Sequence, residues 1–297
     1  MPSDLSSHSS TYRHLSTRFE PQYGALWLIL DPKPIPCVSL ELIDELRRFH
    51  EGMARTFEAH DLGKQPIRFF IAASKSPGVF NLGGDLSLFA RCVAEKDVKT
   101  LRKYARGCIE TLYPYIIGFD RPITTVSLVQ GDALGGGFEI ALAGNILVAE
   151  RGAKFGFPEV LFNLFPGMGA YNLLSRRIGM QRTERMLQNG KLYRAEELHA
   201  EGIVDILAED GRGENAVYDY IVRNENRGIA REGIQRVQRR LFPLRYEDLL
   251  DVADIWVDTA MQVGRREIRL MERLARSQGK ISRRDPISLV PPGSKSA

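Results

Sequence analysis

Residues 129–139 read Val-Gln-Gly-Asp-Ala-Leu-Gly-Gly-Gly-Phe-Glu, and a second glutamate follows in Phe157-Pro158-Glu159. A β-branched apolar run, Ile123 to Val129, feeds the three glycines, and Phe138 to Ala143 reads as the opening of a helix. Contiguous glycines at such a junction permit close backbone approach and unusual φ/ψ. They also leave N–H groups free at the positive end of the helix. That is a way to build an oxyanion hole, with Glu139 just inside the same helix. A phosphate cradle and a plain tight turn are the alternatives. The phosphate reading is weakened because there is no Gly-x-x-x-x-Gly-Lys-Ser/Thr and the glycines are not spaced Gly-x-Gly-x-x-Gly. The plain turn is weakened by a second glycine segment, Phe80-Asn81-Leu82-Gly83-Gly84-Asp85, which follows the strand-like run Ile67 to Ala73. Two strand-ending loops can each aim one N–H at a common oxygen.

The elements that must hold these residues follow from periodicity. Ala25 to Leu30 reads as an early strand, and Ser39 to about Phe57 as a helix with Ser39 as N-cap and Leu42, Ile43, Leu46 and Phe49 on one face. The strand at 67–73 is followed by a loop at 74–85. Leu86 to Ile117 reads as helical with a break near Glu95. Ile146–Ala149 and Lys154–Gly156 are strand-like, and from about Asn215 the chain turns helical. Repeated strand-then-helix units predict a layered α/β spiral. Leu249, Ala253, Trp256, Ala260 and Val263 recur at three- and four-residue steps, an apolar stripe that reads as core or oligomer interface more readily than as a ligand pocket.

At 297 residues and 43% hydrophobic, the chain can bury a substantial core as one α/β domain with a helical appendage. No apolar run approaches the roughly 18–20 residues that span a bilayer. Residues 1–20 read as a disordered leader without a signal pattern. Cys37, Cys92 and Cys108 lack metal-ligand spacing and read as buried free thiols in a reducing cytoplasm. The five histidines (His8, His14, His50, His60, His199) form no metal motif, so no metal is expected. The net charge of +4 is mild for a nucleic-acid binder. The basic residues gather in Arg227–Arg245 and in a tail, Arg273–Lys295, read either as solvated surface or as a landing face for an acidic partner.

Four motifs carry a resemblance. Phe80-x-x-Gly83-x-Asp85-Leu86, Gly131-x-Ala133-Leu134-Gly135-Gly136-Gly137-Phe138-Glu139, Phe155-Gly156-x-Pro158-Glu159-Val160 and Phe165-Pro166-Gly167-Met168-Gly169-Ala170 resemble the crotonase (enoyl-CoA hydratase/isomerase) superfamily in order and spacing. Ala195-x-x-Leu198-x-x-x-Gly202-Ile203-Val204-Asp205 is similar too, and the resemblance covers roughly residues 22–275. Within the superfamily the chain looks most like the diffusible signal factor synthases, which make cis-2-unsaturated fatty acid signals for bacterial communication. That narrower likeness rests on Val79–Leu86, Pro158–Phe162, Phe165–Tyr171 and above all Ile255-Trp256-Val257-Asp258-Thr259-Ala260-Met261-Gln262.

The resemblance implies a spiral of β-β-α units with a C-terminal helical region. The expected layout is a leader at 1–20, a core at 21–210, helices at 211–276 that cover the acyl site and form a homotrimer or dimer of trimers, and a flexible basic tail at 277–297. It implies backbone N–H donors at Gly84 and Gly136, with Leu134 and Gly135 beside them and Met168 and Trp256 lining an acyl pocket. Bulk at Gly136 is expected to distort the turn. Removing an α-proton charges the thioester oxygen, so two preorganised donors are the largest expected contribution, each worth on the order of 10²–10³ in rate. For dehydration Glu159 would be the base and Glu139 the acid. No cofactor is implied beyond the acyl group's own carrier, acyl carrier protein or coenzyme A. A thioesterase step is implied by resemblance alone, since no Gly-x-Ser-x-Gly elbow is present. A restraining membrane sensor kinase is a further implied partner. Asn81-Leu82 departs from the small residues usual before Gly-x-Asp. Three readings therefore stand: a signal-factor synthase acting on a 3-hydroxyacyl carrier-protein thioester, a conventional enoyl-CoA hydratase or isomerase, and a crotonase-fold binding protein.

Overall fold

The computed structural model describes residues 12–60, 65–224 and 227–281. Its centre is a six-stranded sheet built from β1 (Leu15–Glu20), β2 (Ala25–Leu30), β3 (Phe69–Ser74), β5 (Thr124–Val129), β7 (Ile146–Glu150) and β10 (Ile206–Ala208), neighbours in that order. All neighbours are parallel except the β1–β2 hairpin. Every residue of β5 is buried, as expected for a parallel strand covered on both faces. A second, four-stranded sheet holds β4 (Val79–Asn81), β6 (Asp132–Leu134), β8 (Lys154–Gly156) and β9 (Leu192–Arg194).

The two sheets share a winding rule. A long strand enters the first sheet, a short strand splits off into the second, and a helical segment returns the chain. Thus β3 and β4 lead to α2 (Leu86–Glu95), β5 and β6 lead to α4 (Gly136–Ala143), and β7 and β8 lead to a 3₁₀ turn at Pro158–Phe162. The expected β-β-α spiral is present, and both glycine loops fall where a short strand meets a helix.

Local chemistry sets the helix ends. In α1 (Leu40–Glu58) Ser39 accepts from the Leu42 N–H. The break expected near Glu95 is Lys96 in the left-handed region (φ 58°), after which Asp97 caps α3 (Val98–Ile116) by accepting from the Thr100 N–H. Between the 3₁₀ turn and β10 lie α5 (Ala170–Ile178), α6 (Met180–Asn189) and α7 (Ala195–Ala200).

Two expectations are corrected, and a third is filled in. The leader expected at 1–20 contains β1, which pairs with β2 along its length, from Leu15 opposite Leu30 to Glu20 opposite Ala25. Its apolar alternation is faint because it is an edge strand held by cross-strand contacts, Arg18 lying 4.5 Å over the Trp27 ring. The helical region expected from 211 is present, and its first helix also joins the sheet core. In α8 (Gly213–Arg223), Val217 and Ile221 are buried with Trp27, Phe69 and Val148 under the sheet. The tail expected at 277 begins inside α11 (Arg265–Ile281); residues 282–297 lie outside the described residues. Its many arginines hide a narrow inward face containing Met271 and Ala275.

Helix α10 (Tyr246–Ala260) packs along α3, and α11 packs along α2. The stripe Leu249, Ala253, Trp256, Ala260 and Val263 is buried within one core cluster. The three cysteines are free and buried. Among the described residues no helix is long and apolar enough to cross a membrane, and no group of three or more His, Cys, Asp or Glu could hold a metal ion.

Candidate active site

A cavity of about 200 Å³ opens where the two glycine loops, the 3₁₀ turn and helices α3, α10 and α11 meet. All eight residues singled out by sequence line it: Gly84, Leu134, Gly135, Gly136, Glu139, Glu159, Met168 and Trp256. The wall also includes Leu82, Leu86, Phe89, Tyr104, Cys108 and Phe162, which sequence reasoning did not assign. Tyr104, Ala105 and Cys108 fall at helical steps on α3, but the same spacing marks ordinary core. Nothing in one sequence tells a face that lines a cavity from one that lines a neighbour. The walls are mostly apolar, suited to an aliphatic chain.

The amide of Gly136 opens α4. Phe138 and Glu139 N–H both donate to Gly135 O, at 2.9 and 3.1 Å, while Gly136 sits at the first helical position, where no intrahelical acceptor exists. Gly84 directly precedes Asp85, whose carboxylate caps α2 through the Ser87 and Leu88 N–H groups. Among the described residues neither the Gly84 nor the Gly136 amide donates to a protein acceptor. The two loops touch: a Cβ placed on Gly136 would stand 3.5 Å from Gly83 Cα.

The glycines are not equivalent. At Gly136 the one tight neighbour of an added Cβ would be Met168 Sδ, at 3.0 Å, and a thioether end can swing away. The expected sensitivity of Gly136 therefore moves to its neighbours. Gly135 has φ +53°, and a Cβ there would overlap Glu159 Oε1. A Cβ at Gly137 would overlap Asn81 O. The turn needs glycine to let the Glu159 carboxyl and the β4 backbone approach.

Glu139 is 1% exposed, and its Oε1 accepts from the Met168 N–H at 2.7 Å and the Ala170 N–H at 2.9 Å. Those donors come from the Phe165–Ala170 segment, which rests on α10: a Cβ on Gly167 would overlap the Trp256 ring, and one on Gly169 would lie 2.7 Å from Leu249 Cδ2. Burial pushes the Glu139 carboxyl up to about 7, with the two amides pulling the other way. Glu159 is part-exposed as a residue, yet its Oε2 is sealed from solvent without a partner. Burial, reinforced by the charge of Glu139, pushes its carboxyl up to about 8. Amide donors favour an ionised carboxylate and an unpartnered buried oxygen favours a neutral one. Within the pair Glu139 is the more readily ionised, and the two share one proton near neutral pH.

This architecture is the crotonase fold. The structure is similar to an enoyl-CoA hydratase from Bacillus halodurans (TM-score 0.71, 24% identity, covering 88% of this chain and 100% of that one). It is also similar to DspI from Pseudomonas aeruginosa (TM-score 0.62, 20% identity, 83% and 95% covered). The enoyl-CoA hydratase/isomerase family model matches residues 31–218, more than half of the chain, and the chain belongs to that family. Human mitochondrial methylglutaconyl-CoA hydratase is 30% identical over 152 residues, 51% of this chain and 43% of that protein. Cyclohexa-1,5-dienecarbonyl-CoA hydratase of Thauera aromatica is 41% identical over 91 residues, 31% and 35% respectively. The aligned segments thus span less than half of each of these two relatives.

Proposed function

We propose that this protein interconverts 3-hydroxyacyl and 2-enoyl thioesters, with Glu139 and Glu159 as the acid–base pair and the Gly84 and Gly136 amides as the oxyanion hole. The observation that carries this reading is two carboxyls with buried oxygens and two free amides lining one apolar cavity. In dehydration, Glu159 as carboxylate takes the C2 proton, and the electron pair moves onto the thioester oxygen, where both amides hold it. The pair then returns to form the C2–C3 double bond as the 3-hydroxyl leaves, taking a proton from Glu139 as water. Hydration runs the same steps backwards. Hydration starts with the proton on Glu159 and dehydration with it on Glu139.

The finer reading is a signal-factor-type synthase acting on a 3-hydroxyacyl thioester of acyl carrier protein in the cytoplasm. After dehydration, water attacks the thioester carbon, the same two amides hold the tetrahedral oxyanion, and the thiol leaves with a proton, releasing a cis-2-unsaturated acid. Two observations support it. Trp256, from the segment that carried the narrower resemblance, packs edge-on to Phe89 at 4.9 Å in the cavity wall. Arg269, Arg273 and Arg276 lie on the exposed side of α11, whose Leu274 and Gln278 line the cavity, placing cationic groups beside it for an acidic carrier. A trimer is supported by α9 (Gly228–Leu241), which buries none of its residues. It leaves Ile234, Val237 and Leu241 exposed while Gln235 reaches Thr124 at the sheet.

The test is mass spectrometry after incubation with 3-hydroxydodecanoyl thioesters of acyl carrier protein and of coenzyme A. Free cis-2-enoic acid, formed mainly from the carrier-protein substrate and absent with Glu139→Ala and Glu159→Ala, is expected. Reversible formation of trans-2-enoyl-CoA with no free acid overturns the synthase reading and leaves a conventional hydratase. Activity untouched in both variants overturns the acid–base assignment altogether.

A further inference from the structure

Almost every peptide group of the first glycine loop is tied down. The Leu82 N–H donates to Pro36 O at 2.8 Å, and Leu82 O accepts from Gln278 Nε2 at 3.2 Å. Gly83 O accepts from the Val38 N–H at 2.8 Å, and the Gly83 N–H donates to Asn81 Oδ1 at 2.8 Å. The Gly84 N–H is what remains for a ligand. Gly83 has φ +90°, and a Cβ there would lie 2.8 Å from Leu134 O, so only glycine fits. Glycine's own torsional freedom would let the Gly83–Gly84 peptide rotate unless something holds it. The Val38 N–H holds that peptide by its carbonyl, and Asn81 holds the Leu82–Gly83 peptide on the other side of the Gly83 turn.

Asn81 is completely buried, and its Nδ2 has no partner. An unmet buried donor carries a desolvation cost and calls for an explanation. The explanation offered by the geometry is the work of the other end of the amide. Asn81 touches both loops: its side chain accepts from the Gly83 N–H, and its backbone carbonyl lies against Gly137 in the first turn of α4.

We propose that Asn81 is the positioning residue of the oxyanion hole, its Oδ1 fixing the Leu82–Gly83 peptide and with it one side of the Gly83 turn that aims the Gly84 N–H at the thioester oxygen. This rests on the reading of Gly84 and Gly136 as oxyanion donors.

The test compares Asn81→Ala with Asn81→Ser. The two differ by one hydroxyl, and a serine oxygen can accept from the N–H two residues on. Two readouts are needed. One is kcat and KM for 2-enoyl thioester hydration; the other is the near-ultraviolet band of the enolate of acetoacetyl-pantetheine, whose arm is common to both carriers. Asn81→Ala is expected to lower kcat by about 10²-fold, with KM little changed, and to bind the probe without the enolate band. Asn81→Ser is expected to restore most of both. Equal behaviour of the two variants overturns the proposal. So does an alanine variant that fails to fold, since Asn81 would then act on the fold rather than on the amide. Wild-type protein that binds the probe without the band overturns instead the oxyanion reading on which the proposal rests.

Discussion

Lowering the pH from about 7.5 to about 5.5 should cost this protein about 20-fold in kcat/KM for 2-enoyl thioester hydration. The reasoning starts from the carboxyl pair. Burial holds Glu139 at about 7 and Glu159 at about 8. Catalysis in either direction needs one proton on the pair, so activity follows the singly protonated fraction. With those two values the fraction is about 0.6 midway between them and about 0.03 two units below that midpoint. The same loss is expected about two units above it, giving a bell centred near pH 7.5. The assay is loss of the conjugated thioester's near-ultraviolet absorbance, recorded as kcat/KM across the range so that the free enzyme's ionisations are reported. Glu139→Gln should remove the bell and lower the rate by roughly 10²–10⁴. An optimum near pH 5, or a flat profile from about 6 to 9, would refute the argument, because the carboxyls would then titrate as solvated glutamates or not act at all.

The same pair makes wild-type stability fall with pH. Both folded values lie above the ordinary 4.5, so the fold disfavours the charged forms. The loss accrues as pH rises from about 4.5 to about 8 and then levels off. Glu159→Gln should therefore match wild type in thermal melts near pH 4 and exceed it near pH 9, by on the order of a few kcal/mol; parallel melting curves would contradict this. Among the glycines, Gly135→Ala should lose activity about 100-fold or more and cost on the order of 1–3 kcal/mol from its positive φ alone. Gly136→Ala, whose one tight neighbour is Met168 Sδ, should stay within about tenfold of wild type. Kinetics and melts of the two variants that reversed this order would show that the crowded position had been misplaced.

Much of the candidate site was legible without coordinates because its residues sit in local patterns. Contiguous glycines after an apolar strand announce a tight strand-to-helix junction wherever they occur. Ser39 and the stripe on α1 announce a capped amphipathic helix, and the second glycine loop puts Glu139 just inside the helix it opens, whereas Glu159 is reached through the family motif. The helical break at Lys96 was equally readable. Other features have no local signature. The strand Leu15–Glu20 looks like leader sequence because an edge strand is held by its partner, not by its own alternation. The end of α11 looks like a basic tail because its inward face is only a few residues wide. Whether Tyr104 and Cys108 face a cavity or a neighbouring helix depends on how α10 and α11 return across α2 and α3. The proton placement on the two glutamates lay further out of reach: it turns on amides from residues 168 and 170 and on one sealed oxygen. The amino-acid sequence by itself determined which groups could react, since that follows from residue type and short-range backbone geometry. Only the tertiary structure decided their ionisation and the shape of their cavity, since desolvation and enclosure are produced by segments far apart in the chain.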